Sequence, residues 1–425
     1  MFEKYDASKD SGVEWLGEIP KHWQLISLKR LVKFQVGGTP STSDSKAYDG
    51  DLPWVTIADL SGRYTNKFHY ISKRGVRLAN IPLTPKGSLL YSFKLSIGQV
   101  AFADRDLYTN EAIATFISSG SECSEWLYYM LPIFLERNAA TNIYGAKILN
   151  QDLIKNACIL DVPLSEQMQI SNFLDKRVLE IDQAIAIKEQ QIALFNEHKQ
   201  IVIQKAVTQG LNPNVPMNDS GVEWIGEIPE HWEVKKLKYV LEERSQRSRD
   251  GLEPLLMMSQ THGLVVRSEY SDKAEVAATT VGNKLVYHND LVFNKLKAHL
   301  GVFFGSVHDF VGSVSPDYAV YKPVKYIENS KFLELLFRNP LYIKQFILRS
   351  SGIVEGLIRL YTTELFDLKI AIPPNVEQKD ILKFVEQQSV KFDEVIENYI
   401  QQIEKLKEYK TTLINDAVTG KINVA

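Results

Sequence analysis

The residues in this chain that could do chemistry are cations carried on loops. Its eight histidines show no HxxxH or HExxH spacing. The two cysteines, Cys123 and Cys158, are too few for a four-cysteine zinc site or a disulfide framework. There is no GxxxxGK[ST] phosphate loop, no glycine-rich cofactor fingerprint behind a strand, and no Asn-Pro-Pro-aromatic adenine-methylation motif. What remains is a set of basic residues in segments that read as loops or loop edges: Lys73, Arg74, Arg77, Lys94, Lys147, Arg244, Arg247, Arg249, Lys295, Lys297, Arg349 and Arg359. Such side chains contact phosphates and guanine edges, although any one of them alone also fits a solvated surface.

Composition restricts the classes further. The 425 residues carry a net charge of −3, so nucleic-acid binding would rest on local patches rather than on overall basicity. Apolar residues at 44% and charged residues at 24% are ordinary for a globular protein. No apolar run reaches the ~18 residues of a membrane span, and Met1–Asp10 lacks a signal-peptide core. A cytoplasmic protein with no membrane partner is the expectation.

Two stretches must position these cations. Ser88–Phe102 and Asp290–Phe304 are β-branched and aromatic, are interrupted by Gly98 and Gly301, and read as strand–turn–strand units. Thr109–Phe116 and Ser313–Tyr321 read as further strands, and Glu125–Arg137 and Lys331–Ser350 as helices. Lys94 lies four residues before Gly98, and Lys295 and Lys297 lie six and four before Gly301. Lys147 and Arg359 follow Gly145 and Gly356 by two and three residues.

The parallel placement reflects a duplication. Ser11–Leu31 (SGVEWLGEIPKHWQLISLKRL) and Ser220–Val240 (SGVEWIGEIPEHWEVKKLKYV) are identical at 13 of 21 positions. Glu166-Gln167 returns as Glu377-Gln378, and Ala206-Val207-Thr208 as Ala417-Val418-Thr419, each 211 residues on. A period this long means duplicated domains, not a solenoid. Each copy opens with the box, continues through a variable stretch, and ends in a long helical pattern, about Ser165–Gln209 and Val376–Gly420. Leu174, Val178, Ile181, Ile185, Ile192, Phe195, Val202 and Ala206 follow alternating four- and three-residue steps, and adding 211 gives the same stripe in the second copy. Lys199 and Lys410 occupy matched positions on that stripe, where they would cost stability but fix register. Two equivalent copies predict an antiparallel helix pair related by a pseudo-twofold axis, with the chain ends close together. Within the boxes, His22, Trp23, His231 and Trp232 read as packing or hydrogen-bonding residues, and Trp15 and Trp224 as buried anchors.

The predicted fold is α/β (α+β), with two mixed α/β variable domains and two long antiparallel coiled-coil helices. Its divisions are residues 1–162, 163–210, 211–372 and 373–425. The duplicated SGVEW-x-GEIP-x-HW box, the Glu-Gln pair at each helix start and the AVT-containing helix ends resemble the specificity subunits of Type I restriction–modification systems. The resemblance runs the length of the chain. Gly37-Gly38-Thr39-Pro40 resembles a frequent opening of that family's recognition domains, and Gly145 and Gly356 match a glycine ahead of its long helices. The second copy lacks the GGTP opening and carries Arg244–Arg249 instead.

The resemblance implies a non-catalytic subunit in which each variable domain reads half of a split, asymmetric DNA site and the helices act as a ruler. Its partners would be double-stranded DNA, two modification subunits that methylate adenine, and two restriction subunits. S-adenosylmethionine, ATP and magnesium would reside on those partners, with no cofactor on this chain. The expected DNA contacts are Thr39, Lys94 and Lys147 in the first domain and Lys295, Lys297 and Arg359 in the second. A coiled-coil scaffold that binds only proteins is the competing reading, which the near balance of charge in the variable stretches permits.

Overall fold

The computed structural model describes residues 3–118, 120, 122–270, 280–352 and 359–424, with the side chains of 298 and 299 excepted. The chain divides into two compact units. The first comprises Met1–Lys188 with Gln401–Ala425, and the second Glu189–Ile400.

The first unit is built on strands β1 (Lys33–Val36), β2 (Leu89–Ser92), β3 (Val100–Phe102) and β4 (Ile113–Ile117), in the antiparallel order β1-β4-β2-β3. Helix α1 (Ser124–Arg137) covers it, burying Trp126, Met130 and Phe134. The long helix α2 (Leu164–Gln209) begins in this unit. The strand β2–β3 pair is the hairpin expected around Gly98. The expected strand Thr109–Phe116 is interrupted instead. Tyr108–Thr109 pairs with Leu52–Val55 in a second sheet, and a turn held by Asn110 redirects the chain into β4.

The second unit repeats this plan. Strands β5 (Leu241–Glu243), β6 (Leu291–Asn294), β7 (Phe303–Gly305) and β8 (Tyr318–Pro323) form an antiparallel sheet in the equivalent order β5-β8-β6-β7. The helical pattern Lys331–Ser350 divides into α3 (Ser330–Phe337) and α4 (Pro340–Arg349). Asn339 caps α4 through its side chain and Pro340 supplies its first turn, so a single continuous helix is not formed. The last helix, α5, spans Asn375–Val418.

Members of the stripe expected from the sequence face inward within each unit, joined in the second by the off-stripe Ile203 and Val207, while Val202 is only half-buried. In the first, Leu174 and Ile181 of α2 share a core with Leu413, Ala417 and Val418 of α5. In the second, Ile203, Ala206 and Val207 share a core with Ile381 and Val385. The helix segments run antiparallel: Lys188 Nζ donates to Gln402 Oε1 and Lys410 Nζ to Asp182 in the first unit, while Phe195 meets Phe392 and Tyr399 in the second.

The boxes tie the helix ends together. Glu166, in the first turn of α2, accepts from Trp23 Nε1 at 3.0 Å and sits 2.7 Å from His22 Nε2. Glu377, in the first turn of α5, accepts from Trp232 Nε1 at 3.0 Å and sits 2.6 Å from His231 Nε2. Just past the other ends, Gly420 (φ +71°) and Gly210 (φ +76°) terminate α5 and α2 in the left-handed conformation. A Cβ on Gly420 would lie 2.4 Å from Pro20 and 2.9 Å from Trp23, and one on Gly210 would lie 2.7 Å from Glu377. Glycine at 420 is therefore favoured by both conformation and space, and at 210 chiefly by its conformation. The chain ends meet within the first unit, where Asn423 N donates to Glu3 O at 2.8 Å and Lys421 Nζ to the carbonyls of Leu16 and Glu18. Trp15 and Trp224 are half-buried, edge-on to Phe134 at 5.1 Å and to Tyr342 at 4.9 Å.

Candidate nucleic-acid interface

Among the described residues, no group of three His, Cys, Asp or Glu is placed to hold a metal, and no helix is long and apolar enough to cross a membrane. The candidate site is built from loop cations, and its parts differ between the units.

In the first unit the GGTP loop is fixed by packing. A Cβ on Gly37 would lie 2.0 Å from the Thr109 carbonyl, Trp54 Nε1 donates to Gly38 O at 3.1 Å, and Tyr48 OH donates to Pro40 O at 2.6 Å. Thr39 itself is exposed, and its hydroxyl donates to Glu111. One residue on, the Ala112 carbonyl accepts from Phe93 N at 3.0 Å, which brings the root of the β2–β3 turn to the same place. Lys94 stands exposed on that turn with Nζ 5.6 Å from the centre of the Phe93 ring, and Leu95 beside it adopts φ +62°. Thr39 and Lys94 thus converge on the Asn110–Ala112 turn.

Lys147 belongs to a different projection. Ala140–Thr141 and Lys147–Ile148 form a small hairpin beyond α1, and Lys147 Nζ pairs with Glu136 near the end of α1. In the second unit Ser351 bridges Arg359 just as Ala140 pairs with Ile148, both 211 residues earlier. The pairing register makes Ile148, not Lys147, the counterpart of Arg359. Adjacent ladder positions point to opposite faces, so the expected equivalence of Lys147 and Arg359 does not hold. Gly356 lies outside the described residues.

In the second unit the structure brings Lys295 and Arg359 together, because Leu360 N donates to Lys295 O at 3.0 Å. Neither is a free cation. Lys295 Nζ lies 3.6 Å from Glu243 Oε1, with its side chain 18% exposed, and Arg359 Nη2 lies 3.8 Å from Asp317 Oδ1. Lys297 is exposed at a kink (φ −119°, ψ 28°) in the segment after β6.

Sequence reasoning missed Lys284, the centre of this cluster. Its Nζ donates to Tyr318 O at 2.6 Å and lies 3.8 Å from Glu243. Burial, together with the charge of Lys295, pulls its pKa below the usual lysine value. It sits in a short strand, Lys284–Val286, and its polar type in an otherwise apolar Lys-Leu-Val run was the only available signal. Arg244 is committed to a partner within the fold. Its guanidinium grips the buried Asp290 carboxylate through Nε at 2.7 Å and Nη2 at 2.9 Å. Arg247 remains at the surface, donating to Gly282 O at 2.8 Å. The result is a surface of partly paired cations on short loops, where phosphate oxygens can exchange for carboxylates and where Glu243 and Asp317 can accept from base amino groups.

Residues 20–194 match the Type I restriction modification DNA specificity domain. The chain is 24% identical over 434 aligned positions to the specificity subunit of the MjaIX Type I restriction enzyme of Methanocaldococcus jannaschii, covering 96% of this chain and 95% of that one. It is 22% identical to the MjaVIII specificity subunit of the same organism, covering 96% and 94%. The fold resembles that of a chain from a solved Type I restriction–modification complex, with a TM-score of 0.66 at 13% identity, covering 94% of this chain and 98% of that one. It also resembles the HsdS subunit of Thermoanaerobacter tengcongensis, with a TM-score of 0.53 at 12% identity over 95% and 98%.

Proposed function

We propose that the chain, like the Type I restriction–modification specificity subunits it resembles, recognises DNA on behalf of a larger complex and reads a split, asymmetric target with one half assigned to each unit. The observation that carries this reading is the repetition of one plan in two units: the same sheet order, the same box-to-helix bonds and the same helix-end glycines. The loops set on the two sheets differ. The GGTP loop with Lys94 is found on the first, and the Glu243–Lys284–Lys295 cluster with Arg359 on the second. Equal scaffolds with unequal loops suit two readers of different sequence.

The helices of 46 and 44 residues are ~65–70 Å long. In this reading they act as the ruler between half-sites and offer docking surfaces to two modification subunits, with two restriction subunits completing the nuclease. The chain contributes sequence recognition and no catalysis. S-adenosylmethionine, ATP and magnesium act on the partner subunits, and adenine is the methylated base. The assembly works in the cytoplasm.

Methylation mapping of the host genome, with and without the gene, tests the proposal. The expected result is one split, adenine-methylated motif that disappears on deletion. An unchanged methylome, with salt-independent or sequence-indifferent DNA binding by the complex, would instead indicate a scaffold that binds only proteins.

A further inference from the structure

The hairpin beyond α1 ends in two large apolar side chains held out in water. Ile143 is 91% and Tyr144 87% exposed. Single exposed apolar residues are commonplace, but these are adjacent and the turn that carries them is fixed. Asn142 Oδ1 accepts from Tyr144 N at 3.0 Å and from Ala146 N at 2.8 Å, and Asn142 N donates to Ala146 O at 2.9 Å. Gly145 takes the left-handed conformation at φ +81°, and its N–H donates to Asn142 O at 3.0 Å. Below the turn, Thr141 pairs with Lys147. The backbone is thus set in advance, so binding would order only two side chains.

We propose that Ile143 and Tyr144 form a DNA wedge that inserts at a base step in or beside the first half-site, a proposal that rests on the DNA-reading role given above. Shape and charge select this occupant. A two-stranded ribbon is narrow enough to enter a groove of the duplex. An aliphatic side chain beside an aromatic ring is suited to part a base step and to stack on the base face so exposed. No carboxylate lies between Thr141 and Lys147, and Lys147, whose Nζ is paired with Glu136, can exchange that carboxylate for a phosphate flanking the step. Protein-docking patches are broader, on the order of several hundred Å² of contiguous apolar surface, whereas this feature is a point.

The test uses the full chain assembled with its modification subunit and duplexes in which 2-aminopurine is walked through the first half-site and its flanks. Binding should raise the fluorescence severalfold at one or two neighbouring positions, where stacking is lost. The Ile143→Ser/Tyr144→Ser double variant should abolish the rise and weaken binding about tenfold, the scale of one lost stacking contact, while the second half-site sequence is unchanged. Circular dichroism of the variant should match the parent, because both side chains are exposed. No brightening at any position, or brightening that persists in the variant, overturns the proposal. So does a variant that no longer assembles with the modification subunit, which would make the tip a protein contact. Failure of the underlying role looks different, since the parent complex would then prefer no split sequence at all.

Discussion

Lys199 Nζ lies 2.7 Å from Asp393 Oδ1, and Lys410 Nζ lies 2.7 Å from Asp182 Oδ1. The second pair is the copy of the first, since Asp182 and Lys199 become Asp393 and Lys410 on adding 211. Each lysine holds a position on the stripe and carries its charge out to an aspartate on the facing helix segment. A seam cation that would be a defect opposite leucine becomes a register mark opposite aspartate.

Reversing one member should expose this. Lys199→Glu places like charges together and should lower the stability of the second unit by about 1 kcal/mol, and adding Asp393→Lys should restore most of it. Thermal denaturation of the two single variants and the double variant gives the coupling. Strictly additive losses would mean that the pair does not hold the register.

The box-to-helix bonds should matter more. Trp23 is fully buried and donates its indole proton to Glu166. Glu166→Ala leaves that donor without an acceptor and should cost ~1–3 kcal/mol, whereas Glu166→Gln keeps an acceptor oxygen and should cost less. Glu377→Ala should do the same through Trp232. Urea unfolding followed by tryptophan fluorescence reads both, and equal stability of the Ala and Gln variants would refute the assignment.

The ruler has to be lengthened in both helices at once, because segments of α2 and α5 are paired in each unit. Seven residues inserted after Lys188 and seven after Tyr399, positions 211 apart, should add ~10 Å of helix and widen the gap in the methylated motif by ~3 base pairs. Both half-site sequences should survive. Methylation mapping that returned altered half-sites with the original gap would remove the helices from the measurement.

Arg359→Ala should relax one position of the second half-site by ~1–3 kcal/mol if the side chain reads a base, leaving the first half-site untouched. Lys94→Ala should weaken all sequences alike and lower the salt slope by ~1 if it neutralises a phosphate. Competition binding at several salt concentrations separates these outcomes. Unchanged affinity and unchanged specificity would strike either residue from the interface.

The scaffold was legible in the sequence because duplication displays constraint twice. The box, the Glu-Gln helix starts, the alternating stripe and the terminal glycines all take the expected places, and the two hairpins form around Gly98 and Gly301. The binding surface was far less legible. A basic residue type does not reveal its partner, so Arg244 looked available until Asp290 was found beneath it, and Lys295 until Glu243 was found beside it. Lys147 and Arg359 stand two and three residues past matching glycines, so they are one residue out of step, and on a strand ladder a slip of one residue reverses the face. Lys284 was hidden because its importance comes from neighbours distant in sequence.

The division of the chain has a consequence for its synthesis. Residues Leu413, Ala417 and Val418 complete a core whose other members include Trp23, Trp126 and Leu174. The unit made first on the ribosome therefore cannot complete its core until the segment from Gln401 onward has emerged, which at ~5–20 residues per second is ~20–80 s after the first residue. The unit made second, Glu189–Ile400, is continuous and can finish earlier. The core of the unit begun first is thus the one completed last, and until then its apolar face toward Leu413, Ala417 and Val418 stays uncovered.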